Sequence, residues 1–245
     1  MSKTSLRYAV AALTDCGSTR PSNEDAFGYS AEHGVYIVCD GMGGAAAGEI
    51  ASSLAVRAVL RVLGERNQAV PLEKSIEEAV RTANEAIHSR AEQDLHLRGM
   101  GTTLAGLATK GRRVLVFNVG DSRCYRLRKH KLEQISQDHS LVEEQVRMGR
   151  ITPDEAQRSP LRNVITRALG TQPEVEPDIF ELKAEAGDTF LLCSDGLTGE
   201  VPDLQIELIL TANLSLEQLC ANLIEAANLA GGHDNITVML VRAEG

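Results

Sequence analysis

The amino-acid sequence predicts an α+β fold in which sheets pack together and helices lie outside. Three observations carry this. Short apolar or alternating segments bounded by Gly, Asp or charged turns recur along the chain, and several follow one another with no helix between, which favours hairpins and antiparallel pairing. A few longer segments show helical spacing of apolar residues. The two kinds of element mix without strict alternation, which argues against a doubly wound sheet.

Strands are expected at residues 8–13, 35–39, 102–108, 113–119, 123–127, 178–182, 189–193 and 236–241, with Lys110-Gly111 as a hairpin turn. A first helix is expected over 46–63, where Ile50, Leu54, Ala58 and Val62 fall at i+4 steps on one face. A second starts near Pro71, a residue suited to a first helical turn, with Ile76, Val80, Ala83 and Ile87 as its buried stripe. A late helix begins at Ser215, where Gln218 completes a capping box, and ends before Gly231-Gly232. Its apolar face is Leu219, Leu223 and Ala230. Residues 138–170 are charge-rich with few strand signals, and Thr152-Pro153-Asp154-Glu155 reads as N-cap, proline at N1 and Glu at N3. A small helical surface excursion, a flap, is expected there.

With 245 residues, 43% of them hydrophobic, the chain can bury a sizeable core as one large domain or two small ones. Seven prolines and the lack of a low-complexity tract argue against disorder. The formal charge of −9 disfavours nucleic-acid binding, which needs a basic footprint. Cys16, Cys39, Cys124, Cys193 and Cys220 are odd in number and none forms Cys-x-x-Cys, so they read as reduced thiols, three of them in apolar strand-like runs. The N-terminus lacks an apolar signal region and no run reaches the length of a membrane span. The expectation is a soluble, free-standing cytoplasmic protein that contacts neither membrane nor nucleic acid.

The chemistry begins at Tyr36-Ile37-Val38-Cys39-Asp40-Gly41-Met42-Gly43-Gly44, where an apolar strand runs into a carboxylate and a glycine-rich turn. A carboxylate at a strand end can hold a metal ion, and glycines beside it let carbonyls and substrate approach. Asp195 after Leu191-Leu192-Cys193-Ser194 and Asp234 before Asn235-Ile236-Thr237-Val238 sit in similar settings. Oxygen-only ligands of this kind select Mg²⁺ or Mn²⁺ over zinc. Two such ions sharing a carboxylate and a water make hydroxide available near neutral pH and orient a phosphate for in-line attack. An arginine that clamps phosphate oxygens completes such a site, and Arg20 lies in a polar loop after the first strand.

Other phosphate and hydrolase motifs fail. Gly43 and Gly48 have P-loop spacing, but Glu49-Ile50 follows where Lys-Ser/Thr is required. No cysteine has an arginine six positions later, and there is no Gly-x-Ser-x-Gly elbow or zinc spacing. Gly41-Met42-Gly43-Gly44-Ala45-Ala46 matches a dinucleotide-binding pattern, a real rival. That reading places Asp40 against a pyrophosphate and lacks the ribose-binding acid after the next strand.

Taken in order, these pieces resemble the metal-dependent serine/threonine protein phosphatases, the protein phosphatase 2C (PPM) family, in its bacterial stand-alone form. The matching motifs span nearly the whole chain: Gly17-Ser18-Thr19-Arg20-Pro21-Ser22-Asn23-Glu24-Asp25; Asp40-Gly41-Met42-Gly43-Gly44 with Gly48-Glu49-Ile50-Ala51-Ser52; Met100-Gly101-Thr102-Thr103; Asn118-Val119-Gly120-Asp121-Ser122-Arg123; Asn163-Val164-Ile165-Thr166-Arg167-Ala168-Leu169-Gly170; Cys193-Ser194-Asp195-Gly196-Leu197; and Asp234-Asn235-Ile236-Thr237-Val238. The resemblance implies two antiparallel β-sheets packed as a central sandwich flanked by α-helices, in one catalytic domain over 1–245 with a flap at about 145–170. It implies two Mn²⁺ or Mg²⁺ ions, bridged by Asp40, with the Gly41 carbonyl on the second and Asp195 and Asp234 completing the first. Glu24 would hold a coordinated water, Arg20 would bind the phosphoryl group, and Asp121 with Asp195 would bind a third ion. The implied partners are phosphoserine and phosphothreonine proteins and a bacterial serine/threonine kinase, with the enzyme a monomer. The alternative is a catalytically silent regulatory module of the same fold.

The chain departs from the family pattern at three places. Met42 stands where many eukaryotic relatives carry a histidine proposed as general acid, Ala45-Ala46-Ala47 replaces more polar residues, and Ser159-Pro160 replaces a His-Pro pair in the flap. Taken singly, Asp-Gly pairs are also common turns. Asp121 reads equally as a turn residue or an ion-pair partner of Arg123, and Glu24 and Asp25 as caps of loop amides. His139 reads as a bystander beside a helix-capping Asp138.

Overall fold

The computed structural model describes residues 6–43 and 46–245; Gly44 and Ala45 of the glycine-rich turn, and the side chain of Ala46, lie outside the described residues. The strands are β1 (Arg7–Asp15), β2 (Ala26–Ser30), β3 (Val35–Cys39), β4 (Gly41–Met42), β5 (Gly101–Thr102), β6 (Leu104–Lys110), β7 (Arg113–Val119), β8 (Arg123–Arg128), β9 (Lys131–Gln134), β10 (Asp178–Lys183), β11 (Thr189–Cys193) and β12 (Ile236–Glu244). The helices are α1 (Ala46–Gly64), α2 (Leu72–Gln93), α3 (Leu141–Arg147), α4 (Pro153–Arg158), α5 (Asp195–Thr198), α6 (Asp203–Leu210) and α7 (Leu216–Ala230), with a 3₁₀ turn at Leu95–Leu97.

The strands form two five-stranded sheets, ordered β1-β12-β11-β8-β9 and β10-β7-β6-β3-β2, and a short β4-β5 pair, all antiparallel. The sheets stack face to face and each is covered by helices on its other side. Alternation along single strands shows this. In β3, Tyr36 and Val38 join the core between the sheets, while Val35, Ile37 and Cys39 face α1 and α2. In β12, Met239 and Val241 point between the sheets, and Val238 and Leu240 face α7. Central strands buried on both faces read as unbroken apolar runs rather than alternating ones. The antiparallel sandwich flanked by helices, with a small helical excursion, is the expected fold class.

Several expectations shift by a residue. Pro71 caps α2 from outside rather than opening it. The β6–β7 register pairs Lys110 with Arg113, so the tight turn is Gly111-Arg112, with Gly111 at φ +64°. The most deeply buried line of α1 is Ala51, Ala55, Val59 and Leu63, one position on from the predicted stripe. This helix packs on both α2 and the sheet, so small side chains take the closest line while Ile50, Leu54 and Val62 pack half-buried at its flank. On α7, Ala227 takes the place expected of Ala230, which is exposed in the last turn. The capping boxes at Ser215–Gln218 and Thr152–Glu155 are both formed.

The excursion is pinched at its base where Ser140 bridges Ile165, and it contains α3 and α4. Short elements without a clear periodic signal, β2, β4, β9, α5 and α6, complete the chain. Among the described residues no helix is long and apolar enough to cross a membrane.

Candidate metal centre

The ends of strands from both sheets meet at one edge of the sandwich. Asp40 follows β3, Asp121 follows β7, Asp195 opens α5 straight after β11, and Asp234 precedes β12. The loop that leaves β1 carries Arg20, Glu24 and Asp25 to the same place. Register fixes the alignment, since Cys193 pairs with both Val238 and Arg123, and Cys39 pairs with Ala26.

Neutral polar side chains hold the backbone of this cluster. The Asp40 N–H donates to Thr103 Oγ1 at 2.9 Å, and the Asp40 carbonyl accepts from the Thr103 N–H at 2.9 Å and Thr102 Oγ1 at 2.8 Å. Thr103 Oγ1 in turn lies 2.6 Å from Ser122 Oγ, beside Asp121. Asn235 Oδ1 accepts the Glu24 N–H at 2.8 Å while its Nδ2 donates to the carbonyls of Cys16 and Ser22. The Gly41 N–H donates to the Glu24 carbonyl at 3.2 Å. A Cβ on Gly41 would strike the carbonyls of Gly48 and Glu24, and one on Gly48 would strike the backbone of Gly41 as well as the Glu24 carboxylate. Both positions therefore admit only glycine.

The carboxylates are crowded, with Asp25 and Asp121 buried and Asp40, Asp195, Asp234 and Glu24 part-buried. Burial first, then Asp25, Asp195, Asp121 and Asp234, push the Asp40 carboxyl well above the usual range. Asp195 is raised by burial and by Asp234, with a hydrogen bond to Asp40 opposing. Asp121 is pushed up to about 8 by burial, Asp195 and Asp138. Glu24 is raised by burial, with Arg20 opposing. Asp25, which the sequence reading left as a loop cap, is buried in the cluster. Ser194 Oγ donates to its Oδ2 at 2.7 Å, and its Oδ1 is buried with no hydrogen-bond partner. Burial pushes it up to about 7, with the Thr237 and Ser194 hydroxyls opposing and Asp195 and Asp234 adding to the rise.

Positive charge lies mostly elsewhere. Arg20 donates from Nη2 to Asp234 Oδ2 at 2.6 Å, with half of its side chain exposed at the rim. Arg123 does not pair with Asp121; it donates to both oxygens of Asp138, at 2.7 Å at the closest. Asp138 is thus an ion-pair partner rather than a helix cap, and Ser140 caps α3 instead. A cavity of about 620 Å³ opens beside Asp121 and Asp195, between the helical excursion and α5–α6, with Arg162 and Glu143 in its wall.

These groups fit divalent cations. The donors are hard oxygens, their mutual repulsion is what a cation removes, and one carboxylate oxygen is buried without a partner. Among the described residues no three His, Cys, Asp or Glu side chains close on one point as a ready-made cage. The donor set therefore suits ions held by carboxylates from separate strand ends together with a backbone carbonyl and solvent, the oxygen-rich coordination of Mg²⁺ and Mn²⁺. Asp40, Asp121, Asp195 and Asp234 stand together, with Gly41 and Glu24 beside them and Arg20 at the rim. Asp25 carries no motif signal of its own beside Glu24; its setting just before β2, whose Ala26 pairs with Cys39, is visible only in the folded chain.

Residues 17–233 match the family model described as protein phosphatase 2C. The chain is 40% identical over 237 residues to the serine/threonine phosphatase stp of Listeria monocytogenes, covering 94% of each chain. It is 42% identical over 243 residues to the serine/threonine protein phosphatase PstP of Mycobacterium tuberculosis, covering 98% of this chain and 46% of that protein. The crystal structure of the PstP catalytic domain in complex with two manganese ions superposes with a TM-score of 0.89 at 39% identity, over 98% of this chain and 100% of that one. Motif order, sandwich topology and the acidic strand-end cluster agree with these likenesses, and the chain belongs to the protein phosphatase 2C family.

Proposed function

We infer that this chain is a Mn²⁺- or Mg²⁺-dependent phosphatase of phosphoserine and phosphothreonine in proteins. The observation that carries the reading is the crowded, part-buried carboxylate cluster with an arginine at its open rim. Asp40, Asp195, Asp234 and the Gly41 carbonyl would hold two ions, Asp121 with Asp195 a third, and Glu24 would orient water beside them. When bound, the ions supply an activated water and the positive charge that the phosphoryl transition state needs. Arg20 binds the phosphoryl oxygens, its exposed guanidinium anchored through one nitrogen on Asp234. Thr102, Thr103 and Ser122 keep Asp40 and Asp121 in register. Transfer runs directly to water, without a phosphoenzyme.

The relatives named as serine/threonine phosphatases support the substrate class. The protein works as one catalytic domain over 1–245, with a flap at about 145–170. It acts as a monomer in the cytoplasm on phosphoproteins made by a bacterial serine/threonine kinase. Its five cysteines are all free thiols, in keeping with a reducing compartment. The test is hydrolysis of p-nitrophenyl phosphate and a phosphothreonine peptide, with and without Mn²⁺, beside Asp40→Ala. Metal-dependent turnover that the variant loses is the expected result. A folded wild-type protein that turns over neither substrate with Mn²⁺ or Mg²⁺ would point to a silent regulatory module instead.

A further inference from the structure

His139 is 2% exposed, and it joins three segments that the proposed chemistry does not by itself connect. Its Nδ1 accepts the Gly120 N–H at 3.0 Å, and its own N–H donates to the Gly120 carbonyl at 2.9 Å. Gly120 immediately precedes Asp121 and has φ +98°. On the other side, the His139 carbonyl accepts the Thr166 N–H at 2.8 Å, on the returning limb of the helical excursion. The ring's Nε2 lies 3.2 Å from Asp178 Oδ2 in β10, and the other Asp178 oxygen accepts from Arg167 Nη1 at 2.8 Å.

The tautomer follows from these partners. A backbone N–H can only donate, so Nδ1 carries the lone pair and the ring proton sits on Nε2, facing Asp178. Burial holds the imidazole below its usual pKa, with the nearby Asp178 carboxylate opposing, which agrees with a neutral ring. A buried neutral imidazole with Nδ1 hydrogen-bonded and Nε2 facing a carboxylate has little freedom to turn. It is placed to fix the turn that presents Asp121.

We propose that His139 is a positioning residue: it locks the Gly120–Asp121 turn and ties that turn to the returning limb of the excursion, so that its loss weakens cation binding at Asp121 and spares the ions at Asp40, Asp195 and Asp234. This rests on the metal-dependent reading above. The effect has the character of outer-shell support, where removing a ligand's partner costs affinity without removing the ligand.

The experiment is titration of metal-stripped protein with Mn²⁺, following free Mn²⁺ by electron paramagnetic resonance, which resolves tight and weaker binding steps without any turnover. In His139→Gln the acceptor for Gly120 is lost, and the weaker step should fall roughly 10-fold in affinity while the tight steps stay. In His139→Asn the amide oxygen falls near the place of Nδ1, so the weaker step should recover. Should His139→Gln fail to fold, Asp178→Asn, which keeps its shape, should weaken the same step alone. An unchanged weaker step, or tight and weaker steps falling together in every variant, overturns the proposal, as does a wild-type protein with no weaker step. A wild-type protein that binds no Mn²⁺ at all overturns the metal reading itself, a separate result.

Discussion

Raising the pH of the metal-free protein should destabilise it, and Asp25 should carry a separable share of the loss. Asp25 is 9% exposed, with one oxygen on Ser194 and the other without a partner. Its carboxyl is pushed up to about 7, against roughly 4 in the unfolded chain. Between those values the folded protein keeps a proton that the unfolded chain has released. The contribution is therefore fully present below roughly pH 4 and is lost as the pH climbs through about 7. Between pH 5 and pH 8 this amounts to roughly 3 kcal/mol. At roughly 2–4 °C per kcal/mol for a chain of this size, the melting temperature shifts by about 5–10 °C. Asp25→Asn keeps the shape and the acceptor for Ser194 but cannot ionise. Calorimetric melting in chelator should show the variant's advantage over wild type widening by about 5–10 °C between pH 5 and pH 8. Mn²⁺ should erase the wild-type deficit at pH 8, because a cation replaces the proton. Parallel wild-type and variant curves across this range would refute the reasoning.

Arg20→Ala should raise KM for a phosphopeptide more than it lowers kcat, since the guanidinium contacts the phosphoryl group in ground and transition states alike; an unmoved KM removes the clamp role. Thr103→Val, nearly isosteric, leaves the Asp40 N–H and Ser122 Oγ without a shared partner, so urea denaturation should show a loss of roughly 1–3 kcal/mol together with reduced kcat. Wild-type values for both would show that this hydroxyl does not frame the site. Gly106 is paired in register with Phe117, whose ring lies across it where a Cβ would go. Gly106→Ala should cost roughly 1–3 kcal/mol by overpacking while Mn²⁺ affinity is kept, and an unchanged urea midpoint would contradict that.

Much of the molecule was legible where local chemistry and tertiary role coincide. The strands at 113–119 and 189–193 and the capped start of α7 are of this kind, since apolar runs and Ser215–Gln218 state their own structure. The stripe on α1 was read one position off because periodicity reports amphipathicity, while the line of closest approach is set by which neighbour demands small residues. Asp40, Asp195 and Asp234 could be singled out because each borders an apolar strand-like run, whereas Asp121 stood out only through the ordered family motifs. Asp25 could not, because its importance lies in what it faces rather than in what flanks it. The same holds for Asp138: beside Ser140 it looks like a cap, yet it meets Arg123 from β8 across the fold.

That pairing bears on how the site works. Five carboxylates, Asp25, Asp40, Asp121, Asp195 and Asp234, are carried to one edge by strand ends from both sheets. The groups that hold them are hydroxyls, amides and backbone N–H groups, which fix position without supplying charge. The nearby guanidiniums are diverted, Arg123 onto Asp138 and Arg20 onto the outermost carboxylate, Asp234. An arginine placed among the inner carboxylates would have stabilised the fold and competed with cations for the same oxygens. Leaving them uncompensated costs stability, as their raised pKa values record. The same deficit makes the edge selective for small, highly charged ions, so cation binding should stabilise the fold and complete the catalytic centre in one step.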